Sequence, residues 1–446
     1  MGFIDIILFP VYIFIFYFIF SLYRKQFTDP VLKKYHLFGF WIKVFAALAF
    51  TVFNLYISKG DSWLLYHTEG TNIKDLILKD PKYFRFLYES GKDFDQSLLK
   101  NSLNLGYFNA ENNYMVARLT AIFSFFTFNR YLLNNLFFSM LSFTGVWHLF
   151  RFFYDQYPHL HKKIALAVLI LPNFVFWSAG VLKDPLCTGA LGWLTYALYE
   201  LFIKKKNLLT NSLILFIAGY FLAVLKLYIL VSFVPVFSLF IILKNVSLVN
   251  NKFLRLVLVP LLLAFSIFGF FIISKKMEKQ LDKYAVTQLS TSMTKLQDSY
   301  SSVHSGNNSQ FSLGIEFDGS AGSLIKMAPA AIVATLFRPF IWEVRNASQL
   351  LSAFESLAVL ILTFSTLFKV GIKFFFRTIV KDPAVLFCLL FSILFALFVG
   401  ATTPNFGTLV RYKIPCMPFY VIAIFLIKNA YNLKKESLLN SKQAQV

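Results

Sequence analysis

The sequence has little charge, little cysteine and no motif for nucleotide hydrolysis. Charged residues make up 15% of its 446 residues, against about 25% in soluble globular proteins. The three cysteines, Cys187, Cys388 and Cys416, lie in or beside apolar runs. They lack metal-ligand spacing, which argues against a zinc site, a haem site and a disulfide framework. No glycine-rich phosphate-binding loop is present, so ATP hydrolysis is excluded.

Apolar residues dominate the chain instead. Hydrophobic residues account for 57% of the sequence, and phenylalanine alone contributes 56 residues. Long apolar runs recur from end to end, and each is close to the ~20 residues that a membrane crossing requires. This pattern predicts an all-α protein, a polytopic transmembrane helical bundle that forms one integral membrane domain over 1–446. We expect about eleven spans: 3–22, 37–57, 131–153, 163–181, 185–203, 208–225, 227–244, 253–274, 348–368, 384–400 and 411–430.

The excess of basic residues sets the predicted orientation. The chain has 43 Lys and Arg against 22 Asp and Glu, a net charge of +21. The cations cluster between apolar runs, for example in "KKK" at 204–206, as the positive-inside rule requires of cytoplasmic loops. Eleven spans then place the N-terminus outside and the C-terminus inside. The charge therefore indicates the lipid bilayer as partner, with anionic headgroups near the cations, and not nucleic acid.

Two long polar segments are expected on the outer side. The first outer loop, 58–114, has mixed charge, and "DPKYFRFLYESGKDF" within it predicts an amphipathic helix. The second, 275–325, begins as a charged helix and becomes rich in Ser, Gly and Asn, which is typical of a mobile segment. The apolar stretch 327–344 is interpreted as re-entrant or interfacial, because a full crossing would place the basic stretch 369–381 on the outer side. The short stretch 115–128 is left open in the same way.

Most of the unusual polar residues fall on this predicted outer face. They are Asp61 and Tyr66 after the second span, Lys183 and Asp184 between two spans, Arg338 and Glu343 in "LFRPFIWE", and Arg411 at the start of the last span. Ionisable groups that face protein near a membrane interface are functional candidates. Cations and carboxylates that converge on one cavity suit a phosphorylated ligand and an acid–base step.

Simpler roles remain open for several of these residues. Asp184 precedes a proline, and Asp-Pro pairs also occur at 29–30, 80–81 and 382–383. An aspartate in this position caps free N–H groups at the start of a helix. Lys183 is compatible with snorkelling to the interface, and Arg338 with interfacial anchoring beside an aromatic residue.

Three short motifs resemble the GT-C superfamily of polytopic membrane glycosyltransferases. They are "GDSWLLY" with Asp61 after an early span, an outer turn of the form "P…S…KDP" that contains Lys183 and Asp184, and the closing "RYKIPCMPF" that begins at Arg411. The same features also resemble O-antigen and exopolysaccharide polymerases. In the superfamily, an outer-loop carboxylate acts as general base or ligand of a divalent metal ion, and basic residues hold the phosphate of a polyprenyl-phosphate sugar donor.

The resemblance implies a role for each candidate. Asp61 is the expected base or metal ligand and Asp184 the second carboxylate. The substrate-binding set is expected to be Lys183, Arg338, Arg411, Tyr66 and Glu343, the last orienting Arg338. The expected partners are a polyprenyl-phosphate-linked sugar donor and a saccharide or lipid-linked acceptor, in a bacterial inner membrane. The alternatives are a polymerase, a lipid-linked saccharide flippase or anionic solute transporter, and a scaffold subunit of an envelope complex.

Overall fold

The described part of the chain is helical throughout. The computed structural model describes residues 2–58, 60–100, 107–246, 313, 321–345, 347–403 and 405–443. Within these ranges the secondary structure is α-helix, short π-helical and 3-10 segments, and connecting turns, without a β-strand. The predicted all-α class is therefore confirmed. The predicted span 253–274 and most of the predicted loop 275–325 lie outside the described residues.

The α-helices of the described residues are α1 to α15 in chain order. They run Phe3–Lys25, Pro30–Val52, Thr68–Lys79, Glu111–Thr127, Tyr131–Gln156, His161–Ala165, Pro172–Trp177, Lys183–Tyr199, Leu208–Val246, Ala321–Phe337, Ala347–Val370, Ile372–Lys381, Pro383–Thr402, Phe406–Tyr412 and Met417–Gln443. Two of them, α2 and α8, continue as π-helical turns over Phe53–Ile57 and Glu200–Lys204.

Seven described helices are long and apolar enough to cross a membrane. They are α1, α2, α5, α8, α9, α11 and α13, and the pair α14 and α15, which is bent by 62°, makes an eighth if it is one span. The predicted count of about eleven is not confirmed. The predicted span 163–181 is not one helix but α6, a π-helical turn at Leu166–Ile170 and α7. The predicted spans 208–225 and 227–244 are the two parts of α9, which is interrupted only by non-helical angles at Lys226 (φ −151°, ψ 74°).

The described chain divides into two compact units. The first comprises Met1–Ile170, Phe174–Leu201 and Lys205–Lys226. Its core is α5, which packs between α2 and α8. The contact between α5 and α8 depends on glycine: a Cβ at Gly145 would lie 1.9 Å from the Gly189 carbonyl oxygen, and one at Gly192 would lie 2.0 Å from the Gly145 oxygen. Small residues let two helices approach until their backbones touch.

The segment 58–114, predicted as the first outer loop, packs in part on Arg118 of α4. Its Nη1 donates to Glu111 Oε1 at 2.8 Å, its Nη2 donates to the Glu89 carbonyl, and its guanidinium lies 4.5 Å from the centre of the Tyr114 ring. The amphipathic helix predicted over 80–94 is not formed. The segment makes 3-10 turns at Pro81–Leu87 and Gly91–Asp93, and its aromatic residue Phe86 is fully buried.

The second unit comprises Leu171–Asn173, Phe202–Lys204 and Leu227–Val446. In it α13 packs between α10 and α15, and α11 packs against α15. Edge-to-face aromatic contacts fill the core, with ring centres 4.9 to 6.1 Å apart among Phe233, Phe387, Phe391 and Phe419. The apolar helix α10 has 17 residues and ends before Arg338, so by length it is not one of the candidate spans.

Candidate functional site

Asp184 forms a buried ion pair. Lys226 Nζ lies 2.6 Å from Asp184 Oδ1, and the two side chains are 6% and 1% exposed. Asp184 is placed in the first turn of α8 and Lys226 at the interruption of α9, where the break in helical geometry brings the lysine to the carboxylate. The lysine thus balances the charge of the carboxylate inside the first unit.

The capping role considered for Asp184 is wrong. The N-cap position of α8 is occupied by Leu182, which makes no side-chain hydrogen bond, and Asp184 lies inside the first turn. The other three Asp-Pro pairs do cap, because the carboxylates of Asp29, Asp80 and Asp382 accept from the backbone N–H two residues later at 2.8, 3.0 and 2.9 Å. Lys183, which is half-buried, lies beside Asp184 in the same turn.

Asp61 is exposed at the start of the π-helical turn Ser62–His67, beyond the end of span α2. Among the described residues, no hydrogen bond or ion pair reaches its carboxylate. Tyr66, five residues on, points inward instead: it is buried, donates to Asn113 Oδ1 at 3.3 Å and accepts from Tyr107 Oη at 3.0 Å. Within the first unit, Asp61 is thus the candidate carboxylate that is open to solvent.

Behind Asp61 lies a buried aromatic and amide cluster. His67 stacks on Trp63 with ring centres 5.0 Å apart, and its Nδ1 lies 3.2 Å from Asn134 Nδ2. Burial lowers the pKa of His67 to about 3, and the positive charge of Lys100 acts in the same direction. The imidazole is therefore neutral at physiological pH and serves the packing of the turn that presents Asp61.

Sequence reasoning missed Lys43, a cation inside span α2. Its ammonium group is buried and donates to Ser142 Oγ at 3.2 Å, to the Ser178 carbonyl at 2.8 Å and to Ser178 Oγ at 2.5 Å. Thr188 of α8 continues this chain of hydroxyl groups, 3.2 Å from Ser142. The signal was present in "FWIKVF", since a lysine in the middle of an apolar run marks a candidate site.

Arg338 and Glu343 of the second unit are brought together. Arg338 Nε lies 2.9 and 3.1 Å from the two oxygens of Glu343, and Nη2 also donates to Oε1. Glu343 Oε2 accepts in addition from the Phe340 N–H at 2.8 Å. The guanidinium carbon lies 5.0 Å from the centre of the Phe406 ring. A carboxylate and an aromatic face thus fix the orientation of the guanidinium.

Lys413 connects this arginine to the segment that carries Arg411. Its buried ammonium group donates to the Arg338 carbonyl at 3.0 Å and to Ser356 Oγ at 2.7 Å. Arg411 is half-buried in the last turn of α14, before the bend into α15. The predicted last span 411–430 is therefore not one straight helix, because Arg411 lies in α14 and α15 begins at Met417 after the bend. Lys413 itself is fully buried.

Glu355 is a second residue that sequence reasoning missed. It lies in span α11 and is 5% exposed. Its Oε2 accepts from the Asn173 N–H at 2.7 Å, whereas its Oε1 has no hydrogen-bond partner among the described residues. The neighbouring Ser352 Oγ is also buried without a partner there. A glutamate inside the apolar run "SAFESLAVLIL" was the sequence signal.

The sequence candidates are divided between the two units. Asp61, Tyr66, Lys183 and Asp184 belong to the first unit, and Arg338, Glu343 and Arg411 to the second. No group of three or more His, Cys, Asp or Glu side chains in the described ranges is arranged to hold a metal ion. Neither Asp61 nor Asp184 is therefore assigned a metal there. No protein-family model, curated protein or solved structure matches the chain.

Proposed function

We propose that the protein is a membrane glycosyltransferase that transfers a sugar from a polyprenyl-phosphate carrier at the extracytoplasmic face of a bacterial envelope membrane. The observation that carries the proposal is the geometry of Arg338. Its guanidinium is oriented by Glu343 and Phe406, and Lys413 links its backbone to the segment of Arg411. Guanidinium groups bind phosphate through paired N–H donors, and an orientation fixed in advance lowers the cost of binding.

The roles of the two aspartates follow from their surroundings. Asp184 is neutralised by Lys226 and contributes to structure. Asp61 is exposed and is the candidate base. Its carboxylate would take the proton of the acceptor hydroxyl as the acceptor oxygen bonds to the anomeric carbon of the sugar. The bond from that carbon to the phosphate oxygen breaks, and polyprenyl phosphate leaves with its electron pair. Cations stabilise the charge that develops on such a leaving group, and the candidates for this role in the second unit are Arg338 and Arg411.

The first unit contains a small apolar hollow. It borders the start of α8, immediately after Lys183 and Asp184, and is lined by Leu141, Pro185, Leu186, Gly189, Trp193 and Phe221. Its free space is about that of one water molecule, so it does not seat a prenyl chain and the proposal does not depend on it.

The assay is sugar transfer by the purified protein in nanodiscs. Short-chain polyprenyl-phosphate hexoses and pentoses are supplied one at a time with a mixture of saccharide acceptors. The proposal expects at least one donor to be consumed, with release of one polyprenyl phosphate for each sugar transferred. If no donor is consumed and decaprenyl phosphate fails to bind, the proposal is wrong.

A second function, transport of a lipid-linked or anionic solute, is favoured by Glu355. A glutamate buried in a candidate span with one oxygen unpaired in the described structure is typical of proton relays in transporters. The two functions are separated by proteoliposomes loaded with a labelled polyprenyl-phosphate sugar. A carrier moves the label between leaflets with no chemical change, and Glu355→Gln stops that movement. An enzyme converts the label in the leaflet where it meets the acceptor.

A further inference from the structure

A short helix connects two membrane-spanning candidates of the second unit. The helix α12, Ile372–Lys381, lies between α11 and α13. Its ten residues extend about 15 Å, which is half of a bilayer core. Gly371 before it has a φ of 78°, a left-handed conformation that glycine adopts without strain. Asp382 after it caps α13. Both ends of α12 are therefore tied to helices that enter the membrane.

The helix carries two parallel stripes. Ile372, Phe376 and Val380 are 65, 61 and 79% exposed. Lys373, Arg377 and Lys381, each one position further along the chain, are all exposed as well. Residues four apart lie on the same face of an α-helix. One stripe of α12 is thus apolar and uncovered, and the adjoining stripe has three positive charges.

The remaining side of α12 is packed against its own unit. Thr378 is buried, and the Phe374 ring meets the Tyr431 ring of α15 edge-to-face with centres 5.5 Å apart. Lys434 of α15 places its ammonium group 5.3 Å from the centre of the Phe374 ring. These contacts fix the rotation of α12 about its axis, so both stripes face away from the protein.

Other cations lie in the neighbouring helices. They are Lys369 at the end of α11 and Lys428, Lys434 and Lys435 on α15. The carboxylates in the same segments are Asp382, which caps α13, and Glu436. The positive-inside rule assigns this end of the spans to the cytoplasm, where the membrane surface carries anionic headgroups.

We propose that α12 lies in the plane of the membrane interface and binds anionic phospholipid. Ile372, Phe376 and Val380 enter the boundary of the acyl chains, and Lys373, Arg377 and Lys381 contact the phosphates beside them. An amphipathic helix with a basic polar face adopts this position. Lipid is favoured over an acidic protein segment because the flanking spans hold the apolar stripe at the membrane surface. The inference does not depend on the proposed enzymatic activity.

The test places a fluorescent reporter on the apolar stripe of the full-length protein. Val380→Cys is labelled with an NBD group in nanodiscs, which is selective because Cys187, Cys388 and Cys416 are buried. Quenching is compared between spin-labelled phosphatidylglycerol and spin-labelled phosphatidylcholine at equal mole fraction. We expect quenching by both lipids and a preference for phosphatidylglycerol, since each cation near an anionic surface contributes to lipid binding.

The variant Lys373→Gln/Arg377→Gln/Lys381→Gln should lose most of this preference, by about tenfold in relative affinity. A matched variant that removes three exposed lysines elsewhere, Lys33→Gln/Lys34→Gln/Lys206→Gln, should keep it. Quenching by aqueous iodide but not by lipid would show that the stripe faces water or another protein, and would overturn the proposal. An equal preference in both triple variants would overturn it as well.

Discussion

The ammonium group of Lys226 lies 2.6 Å from the carboxylate of Asp184, and both side chains are buried. The two residues are 42 positions apart and lie on different helices of the first unit. Their pairing changes the interpretation of the "KDP" motif. The aspartate expected as the second carboxylate is paired with a buried lysine, and the exposed Asp61 stays the candidate base.

Removing one partner of this pair is expected to be costly. Lys226→Met leaves the Asp184 carboxylate buried without its cation, and loss of one partner of a buried pair destabilises a protein by about 3–5 kcal/mol. Lys226→Met/Asp184→Leu should recover most of the loss, because no charge then stays buried. Thermal unfolding of the single and the double variant in the same detergent measures the two changes in stability. Lys82→Met, which removes an exposed cation paired with Asp80, is the control and should leave the melting temperature unchanged. Additive losses in the double variant would contradict the pairing.

The close packing of α5 and α8 predicts that alanine substitution changes the stability of the protein differently at two glycines. Gly145→Ala puts a methyl group 1.9 Å from the Gly189 carbonyl oxygen, so the helices must separate. We expect a loss of about 1–3 kcal/mol, the usual range for overpacking. Gly219→Ala in α9 is the matched control, because a Cβ there meets nothing within 4 Å, and the melting temperature should stay the same or rise. Equal effects at the two positions would show that α5 and α8 do not approach so closely.

Acid should act on His67 and thereby destabilise the turn that presents Asp61. Its pKa is lowered to about 3 by burial and then by Lys100, whereas an unfolded chain binds the proton near pH 6.5. Protons therefore bind the unfolded state preferentially, and stability falls as the pH drops from about 6.5 towards 3. The limiting slope is about 1.4 kcal/mol per pH unit. Denaturation of the wild type and of His67→Gln between pH 7 and 5 measures it. The variant should show the shallower dependence, and identical slopes would be inconsistent with a buried neutral imidazole.

The geometry of Arg338 predicts that lysine cannot replace it. Lysine lacks the planar fork that engages Glu343 and the flat surface that stacks on Phe406. Arg338→Lys should therefore weaken binding of decaprenyl phosphate by about tenfold or more, which corresponds to one strong charge-assisted hydrogen bond. Arg85→Lys on the first outer loop, where the arginine is half exposed and pairs with Glu89, is the matched control. Unchanged affinity in Arg338→Lys, with unchanged thermal stability, would remove Arg338 from the phosphate site.

Local features of the sequence were predictable, and contacts between distant segments were not. The apolar runs identified α2, α5 and α13 as spans, and the Asp-Pro pairs at Asp29, Asp80 and Asp382 were identified as caps. Both signals depend on neighbours along the chain. Asp184 carries the same dipeptide, but its environment is decided by a lysine on another helix.

The breaks in regular structure were also missed by sequence reasoning. The segment 163–181 is mostly apolar and was predicted to be one span, although Pro172 marks the start of α7 after α6 and the π-helical turn. The buried ionisable residues, in contrast, could be seen in the sequence. Lys43 and Glu355 stand inside apolar runs and were visible as exceptions, but the surrounding hydrophobicity led to their assignment as ordinary span residues.

The most direct test of the proposed transfer reaction is the turnover of Asp61→Asn at saturating polyprenyl-phosphate sugar, with donor affinity measured in parallel. If Asp61 removes the acceptor proton, kcat should fall by about a hundredfold or more, the range for a lost general base, while the donor Kd stays the same. Asp93→Asn, another exposed aspartate of the same loop, should keep full turnover. Full turnover in Asp61→Asn would contradict the account.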